Sequence, residues 1–224
     1  MFAISEATVR RYEMDVLNAD LPEPDLDNLE ILLVDEKSVR KGHGYVTVVL
    51  NGLTGELLHM AEGKKKESLE SFFSLLTDRQ KDSVRAVCID RNGAYRSVLR
   101  ERLPGAEVVH DRFHIIANLN TALDEVRRSE WRAANAEGKK VIKGSRFLLV
   151  AGCENIDSTG FARLAELTGL NAKISTAYIL KEEFRHIYAV ATSARSGSVR
   201  IRRWCALVEE SGIEPLRRFA RGLL

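Results

Sequence analysis

A chain of 224 residues, 45% of them hydrophobic, is long enough to bury a substantial core. No apolar run approaches the roughly 18 to 20 residues that cross a bilayer, and the N-terminus MFAISEATVRRYEMD lacks the charged-then-apolar order of a secretory signal. A membrane partner is therefore excluded, and a cytoplasmic address is expected. The net charge of +2 conceals an asymmetry: residues 1–30 hold eight acids against Arg10 and Arg11, a net −6, which leaves +8 on the remainder. Cys88, Cys153 and Cys205 lie too far apart for a C-x-x-C pair or a disulfide framework, and they read as reduced thiols.

In chain order, residues 1–30 form an acidic link. ILLVDE and YVTVVL are short β-branched runs separated by KGHG, and NGLTGE then leads into LLHMAE, so residues 31–62 predict three strands in hairpin succession. KKKESLESFFSLL places Leu69, Phe72, Phe73 and Leu76 at i, i+3, i+4 and i+7, an amphipathic helix. VRAVCID reads as a fourth strand with apolar residues on both faces. GAYRSVLRERL is a short helix closed by Pro104, and AEVVH is a fifth strand. DRFHIIANLNTALDEVRR is a helix with Phe113, Ile116, Leu119, Leu123 and Val126 on one side. Beyond Trp131 helical patterns dominate, at 161–170, 172–188 and 199–210, with RFLLV as one further strand candidate. The expected division is a link (1–30), an α/β core (31–130) and a mainly helical region (131–224).

This element order decides where two acids go. Three antiparallel strands followed by a right-handed crossover place the fourth strand beside the first, on the far side from the second. Asp35 and Asp90 then become neighbours at the C-terminal ends of parallel strands about 4.8 Å apart, where open α/β sheets put their ligands. Two carboxylates that close need a cation between them, and Mg²⁺ or Mn²⁺ suits oxygen donors. Two such ions about 3.5 to 4 Å apart can carry phosphoryl transfer. Against this stands the plainer reading of an aspartate that ends a strand as a turn-former. Asp111 reads as the cap of the following helix or as a third acid near the pair, and His114, in that helix's first turn, as a site contact or a packed histidine. Lys37, Arg40 and Lys41, with Lys64, Lys65 and Lys66, surround the acids where a phosphate backbone would approach. Residues 127–146 hold seven basic residues, Arg127, Arg128 and Arg132 among them, against Glu130 and Glu137. A second basic stretch covers 195–221. Polyanion contact and a pair of solvated helix faces are the two readings of these stretches.

Seven blocks in sequence order carry a resemblance: VDEKSVRKGHGYVTVV, TGELLHMAEGKKKESLESFF, CIDRNGAY, GAEVVHDRFHI, KGSRFLLV, AYILKEEFRHIY and RRWCALVEESGIEPLRRFARGLL. Together they resemble the ISL-three family of bacterial insertion-sequence transposases over nearly the whole chain. The resemblance implies a ribonuclease H-like mixed sheet of three antiparallel and two parallel strands, flanked by helices and followed by a helical region. It also implies a DDE triad binding two divalent metals, Mg²⁺ or Mn²⁺, for cleavage and joining of element DNA. The family's first two acids fall on Asp35 and Asp90; Glu36, Asp111 and His114 support the site. DNA is the implied partner, with a nucleoid-associated location and self-association, or association with a full-length transposase, as further expectations. The family's zinc-binding, helix-turn-helix region would precede this chain. Its third carboxylate, in a segment resembling N-G-x-x-E-G-x-N, would follow EPLRRFARGLL, so a core truncated at both ends and inactive alone is expected. The alternatives are a non-catalytic DNA-binding or interaction remnant, and an unrelated ribonuclease H-like nuclease completed by an acid such as Glu154, Glu166 or Glu182.

Overall fold

The structure is a computed structural model that describes Thr8 and residues 23–40, 44–90 and 93–223; the side chain of Arg40 is outside the description. Most of the expected acidic link, the KGHG turn with Lys41, and Arg91 and Asn92 of CIDRNGAY therefore lie outside the described residues. The chain divides into two compact units, Met1–Asp111 and Arg112–Leu224.

The first unit holds a five-stranded sheet built from β1 (Ile31–Arg40), β2 (Gly44–Asn51), β3 (Leu57–Glu62), β4 (Ala86–Ile89) and β5 (Glu107–His110), in the order β3-β2-β1-β4-β5. The hairpins β1–β2 and β2–β3 are antiparallel, while β4 pairs in parallel with both β1 and β5. This is the mixed sheet expected of a ribonuclease H-like α/β fold. The hairpin turn after β2 depends on Gly52, whose N–H donates to the Ile31 carbonyl at 2.7 Å. A Cβ there would meet the Ile31 side chain at 2.5 Å.

Alternation along the strands puts Leu32 and Val34 of β1, Val49 of β2, and Val87 and Ile89 of β4 into one core. Three helices belong to this unit: α1 (Lys66–Phe73), α2 (Asp78–Ser83) and α3 (Gly93–Arg102). Helix α1 contributes Leu69, Phe72 and Phe73 to that core, and Leu76 is buried just past its end; α3 contributes Tyr95, Val98 and Leu99. Helix α2, absent from the expected pattern because its six residues are all polar, starts on a reciprocal capping box between Thr77 and Gln80. On the other face Cys88 of β4 and its β5 partner Val109 stay half-exposed and exposed. The fourth strand is thus fully buried on one face only.

The second unit is helical: α4 (Arg112–Ala133), α5 (Ala136–Ile142), α6 (Arg146–Val150), a single 3₁₀ turn at Cys153–Asn155, α7 (Ser158–Leu170), α8 (Ala172–Val190), α9 (Ala194–Ser211) and α10 (Glu214–Arg221). RFLLV is helix α6 and not a strand: it has no sheet to join among the described residues of this unit, and one turn suffices to bury Leu149. Helix α4 packs on α8 and α10, with Ile115, Leu119, Ala122, Leu123 and Val126 buried. Its apolar face is rotated from the expected one, since Phe113 is 73% exposed. Phe184 packs at a tilt against Trp204 at 4.6 Å and edge-on to Phe219 at 5.6 Å between centroids, tying α8 to α9 and α10. Side-chain caps at Asn135, Asp157, Asn171 and Ser193 start α5, α7, α8 and α9. The sequence expectation drew the core to 130, but α4 belongs with the helices because its buried stripe is part of their core.

Candidate metal and nucleic-acid sites

Strand β1 does not stop at Asp35 but continues to Arg40 against β2, with Asp35 opposite Val48. What ends near Asp35 is the parallel part. The β1–β4 register runs from Ile31↔Ala86 to Val34↔Ile89, and the β4–β5 register reaches Ile89↔His110. Asp35, Asp90 and Asp111 each follow the last residue of their strand that is paired in parallel. The Asp111 N–H donates to the Ile89 carbonyl at 2.9 Å, which continues the ladder by one step. The three aspartates therefore fall in one row across β1, β4 and β5, on the face opposite Val34 and Ile89.

The surroundings of the row are polar. Asp35 accepts the Glu36 N–H at 2.7 Å and pairs with the Lys37 ammonium at 2.6 Å. That hydrogen bond and the Asp35 charge raise the Lys37 pKa, with Asp111 adding to the effect. Cys88, two residues before Asp90, has its thiol pKa raised by burial and then by Asp111, so it stays protonated. The row offers hard oxygen donors and no thiolate.

Glu36 points the other way. It pairs in register with Thr47, a fully buried residue whose hydroxyl donates to the Gly63 carbonyl at 2.9 Å and shares a hydrogen bond with the Tyr95 phenol at 2.7 Å. Burial, opposed by the Thr47 bond and reinforced by the Glu36 and Asp35 charges, pushes the Tyr95 pKa up to about 12. Glu36 reaches Asp35 through its backbone N–H, and its side chain faces the helix-covered side. Sequence reasoning missed Tyr95 and Thr47; the tyrosine of the GAY block was the available signal.

His114 lies in the first turn of α4, half-buried and edge-on to Phe113 at 5.5 Å, in the second unit. Lys64 sits 3.9 Å from the Tyr45 ring centroid, and Lys66 pairs with Glu70 at 3.3 Å and Glu101 at 3.7 Å. Lys65 is the exposed N-cap residue of α1. Arg127, Arg128 and Arg132 line a cavity of about 480 Å³ with Lys139, Lys140, Lys143 and Trp131. Asp124, nearly buried, holds Arg127 at 2.7 Å and Arg128 at 2.8 Å.

Of the alternative third acids, Glu154 and Glu182 belong to a different cluster. Among the described residues, the one trio of potential ligand atoms within 4.8 Å is Cys153, Glu154 and Glu182. Arg185 pairs with both glutamates and Lys181 with Glu182. The Arg185 hydrogen bond holds the Glu154 carboxyl down at about 2. Basic side chains already compensate this cluster.

The class that these features define is an α/β protein whose mixed sheet carries an aspartate just past the parallel pairing on each of three adjacent strands. Comparison with known proteins gives the family. A model of the ISL-three type, described as Transposase, matches residues 32–224. The chain is 31% identical over 225 residues to the transposase for insertion sequence element IS1001 of Bordetella parapertussis, covering 99% of this chain and 55% of that protein. It is 28% identical over 209 residues to the transposase for IS1557 of Mycobacterium tuberculosis, covering 83% and 47% respectively. The chain belongs to the ISL-three family of transposases. It spans about half the length of the curated relatives it matches. No helix among the described residues is long and apolar enough to cross a membrane.

Proposed function

We propose that this chain supplies the metal-binding core of a DDE transposase, with Asp35 and Asp90 as the first two catalytic carboxylates and Mg²⁺ or Mn²⁺ as the ion. The observation that supports the reading is the parallel register Val34↔Ile89, the pair that immediately precedes these two aspartates in the chain. Adjacent strands lie about 4.8 Å apart, within reach of a shared ion. An all-oxygen donor set with an ammonium already drawn to Asp35 at 2.6 Å fits a hard divalent cation. Bound there, the ion would stabilise charge on the phosphate and activate the attacking oxygen in cleavage and joining of element DNA.

The chain's own residues orient the site. The Glu36 N–H fixes one oxygen of Asp35, Thr47 and Tyr95 brace the strand pair beneath it, and Asp111 adds negative charge to the row. Lys37, Lys64, Lys65 and Lys66, with Arg40 and Lys41, are proposed phosphate contacts in the first unit; Arg127, Arg128 and Arg132 are those of the second. Such contacts hold a duplex without reading its sequence. No residue here is assigned as the third carboxylate. Self-association, or association with a full-length transposase, belongs to the same proposal. A DNA-binding chain without chemistry is the second reading, favoured by the basic cavity in the unit that lacks the aspartate row.

Thermal unfolding with and without Mn²⁺ tests the first reading. A ligand that binds only the folded state raises its stability by mass action. A rise in Tm in the wild type, lost in both Asp35→Ala and Asp90→Ala, is expected. An equal rise in all three proteins overturns the paired-acid site.

A further inference from the structure

The basic cavity of the second unit contains something that phosphate contacts do not require. Arg128, Trp131 and Arg132 stand at i, i+3 and i+4 near the end of α4 and so share one face. Lys139 and Lys140 come from α5, and Lys143 from the turn after it, which Gly144 closes at φ +73°. No acid is among the residues lining the cavity. Asp124 fixes the base of the cluster through Arg127 and Arg128, which leaves the other cations in excess.

Into this cluster the chain places an indole that is 41% exposed, although its other tryptophan, Trp204, is 2% exposed and hydrogen-bonded through its ring N–H to the Leu180 carbonyl. The Lys139 ammonium lies 5.5 Å from the centroid of the Trp131 ring and steadies it. A flat π face amid cations matches an unpaired nucleotide: the base stacks and its flanking phosphates are neutralised. Duplex DNA keeps its base faces stacked inside and offers this indole nothing. The volume of about 480 Å³ falls in the range of sites for small ligands, roughly 300–1,000 Å³.

We propose that this cleft binds single-stranded DNA, stacking one unpaired base on Trp131 while Arg128, Arg132, Lys139, Lys140 and Lys143 hold the adjoining phosphates. The proposal rests on the reading of the chain as DNA-binding and narrows the ligand of this site from DNA in general to an unpaired strand.

The test is fluorescence anisotropy with a twelve-nucleotide oligo-dT and a twelve-base-pair duplex at low salt, on the wild type, Trp131→Ala, Trp131→Phe and Lys139→Ala/Lys140→Ala. Loss of one stacked base weakens single-strand binding about 5- to 150-fold. Trp131→Ala is expected to show that loss on oligo-dT and less than about a twofold change on the duplex, while Trp131→Phe keeps most of the affinity. The double lysine variant is expected to weaken both ligands. Intrinsic fluorescence should be quenched by oligo-dT in the wild type and not in Trp131→Ala, whose remaining emission from buried Trp204 also reports that the unit is folded. Equal effects of Trp131→Ala on both ligands, or none on either, overturn the stacking site and leave DNA binding standing. Failure of the wild type to bind either ligand overturns both.

Discussion

Lys181 and Glu182 can be broken apart from either side, and the structure predicts different costs. Lys181 is fully buried on α8; its ammonium donates to the Ala151 carbonyl at 2.6 Å and to Glu182, and lies 4.3 Å from the Tyr178 ring centroid. Glu182 is only partly buried and also accepts from Arg185 at 2.8 Å. In Lys181→Met the carboxylate keeps Arg185, and the methionine fills the same channel. The lost charged hydrogen bonds, about 1.5–3 kcal/mol, are offset by removal of a buried charge, so the net cost should be at most about 2 kcal/mol. Glu182→Ala instead leaves the ammonium buried with one neutral acceptor and should cost about 3–5 kcal/mol.

Urea denaturation followed by tryptophan emission measures both, because Trp131 and Trp204 both lie in this unit and Trp204 bonds the residue next to Lys181. The pH dependence gives a second handle. Burial lowers the Lys181 pKa below its ordinary 10.5 despite Glu182. The unfolded lysine therefore holds its proton more tightly, so stability is greatest above 10.5 and declines as pH falls toward the folded value. Glu182→Ala should steepen that decline. Equal costs for the two variants, or a larger cost for Lys181→Met, would refute the reasoning.

Two further outcomes are expected. In a titration at 295 nm, Tyr95 and Tyr178, both pushed up by burial to about 12, should ionise late, and Tyr95→Phe should remove part of that late amplitude. Because a raised phenol pKa contributes stability that is intact below 10.0 and lost as pH rises through about 12, Tyr95→Phe should also flatten the alkaline loss of stability. On α4, Leu119→Ala should cost about 2–5 kcal/mol and Phe113→Ala less than about 0.5 kcal/mol in denaturant unfolding, since Leu119 is fully buried and Phe113 is not; a reversed order would mean the helix is rotated.

Sheet order was legible because hairpin spacing and crossover handedness leave β4 one place to go, beside β1, and that placement alone brings Asp35 toward Asp90. The extension of β1 past Asp35 was hidden, because DEKSVR is polar and its pairing depends on β2 and not on its own pattern. Helix α2 and the five-residue α6 were also hidden: a helix of one or two turns carries too little periodicity to register, and RFLLV is as apolar as a strand. The face of α4 was misjudged because Phe113 and Ile116 fit the 3.6-residue spacing as well as Ile115 and Ala122 do. Asp90 and Asp111 were legible as strand-end acids, whereas Asp35 lies within β1, one residue past its parallel pairing. The opposite orientation of Glu36 follows from simple alternation once β1 is known to continue. Trp131 stood between two recognised arginines, yet its exposure, the feature that matters, depends on how α4 and α5 meet.

Asp35 and Asp90 are proposed to share one divalent ion. Crystals soaked in Mn²⁺ and measured for anomalous scattering locate the ion directly. A peak is expected between the carboxylates of Asp35 and Asp90, absent from crystals of Asp90→Asn. A Mn²⁺ peak at Cys153, Glu154 and Glu182, with none at the aspartate row, would contradict it.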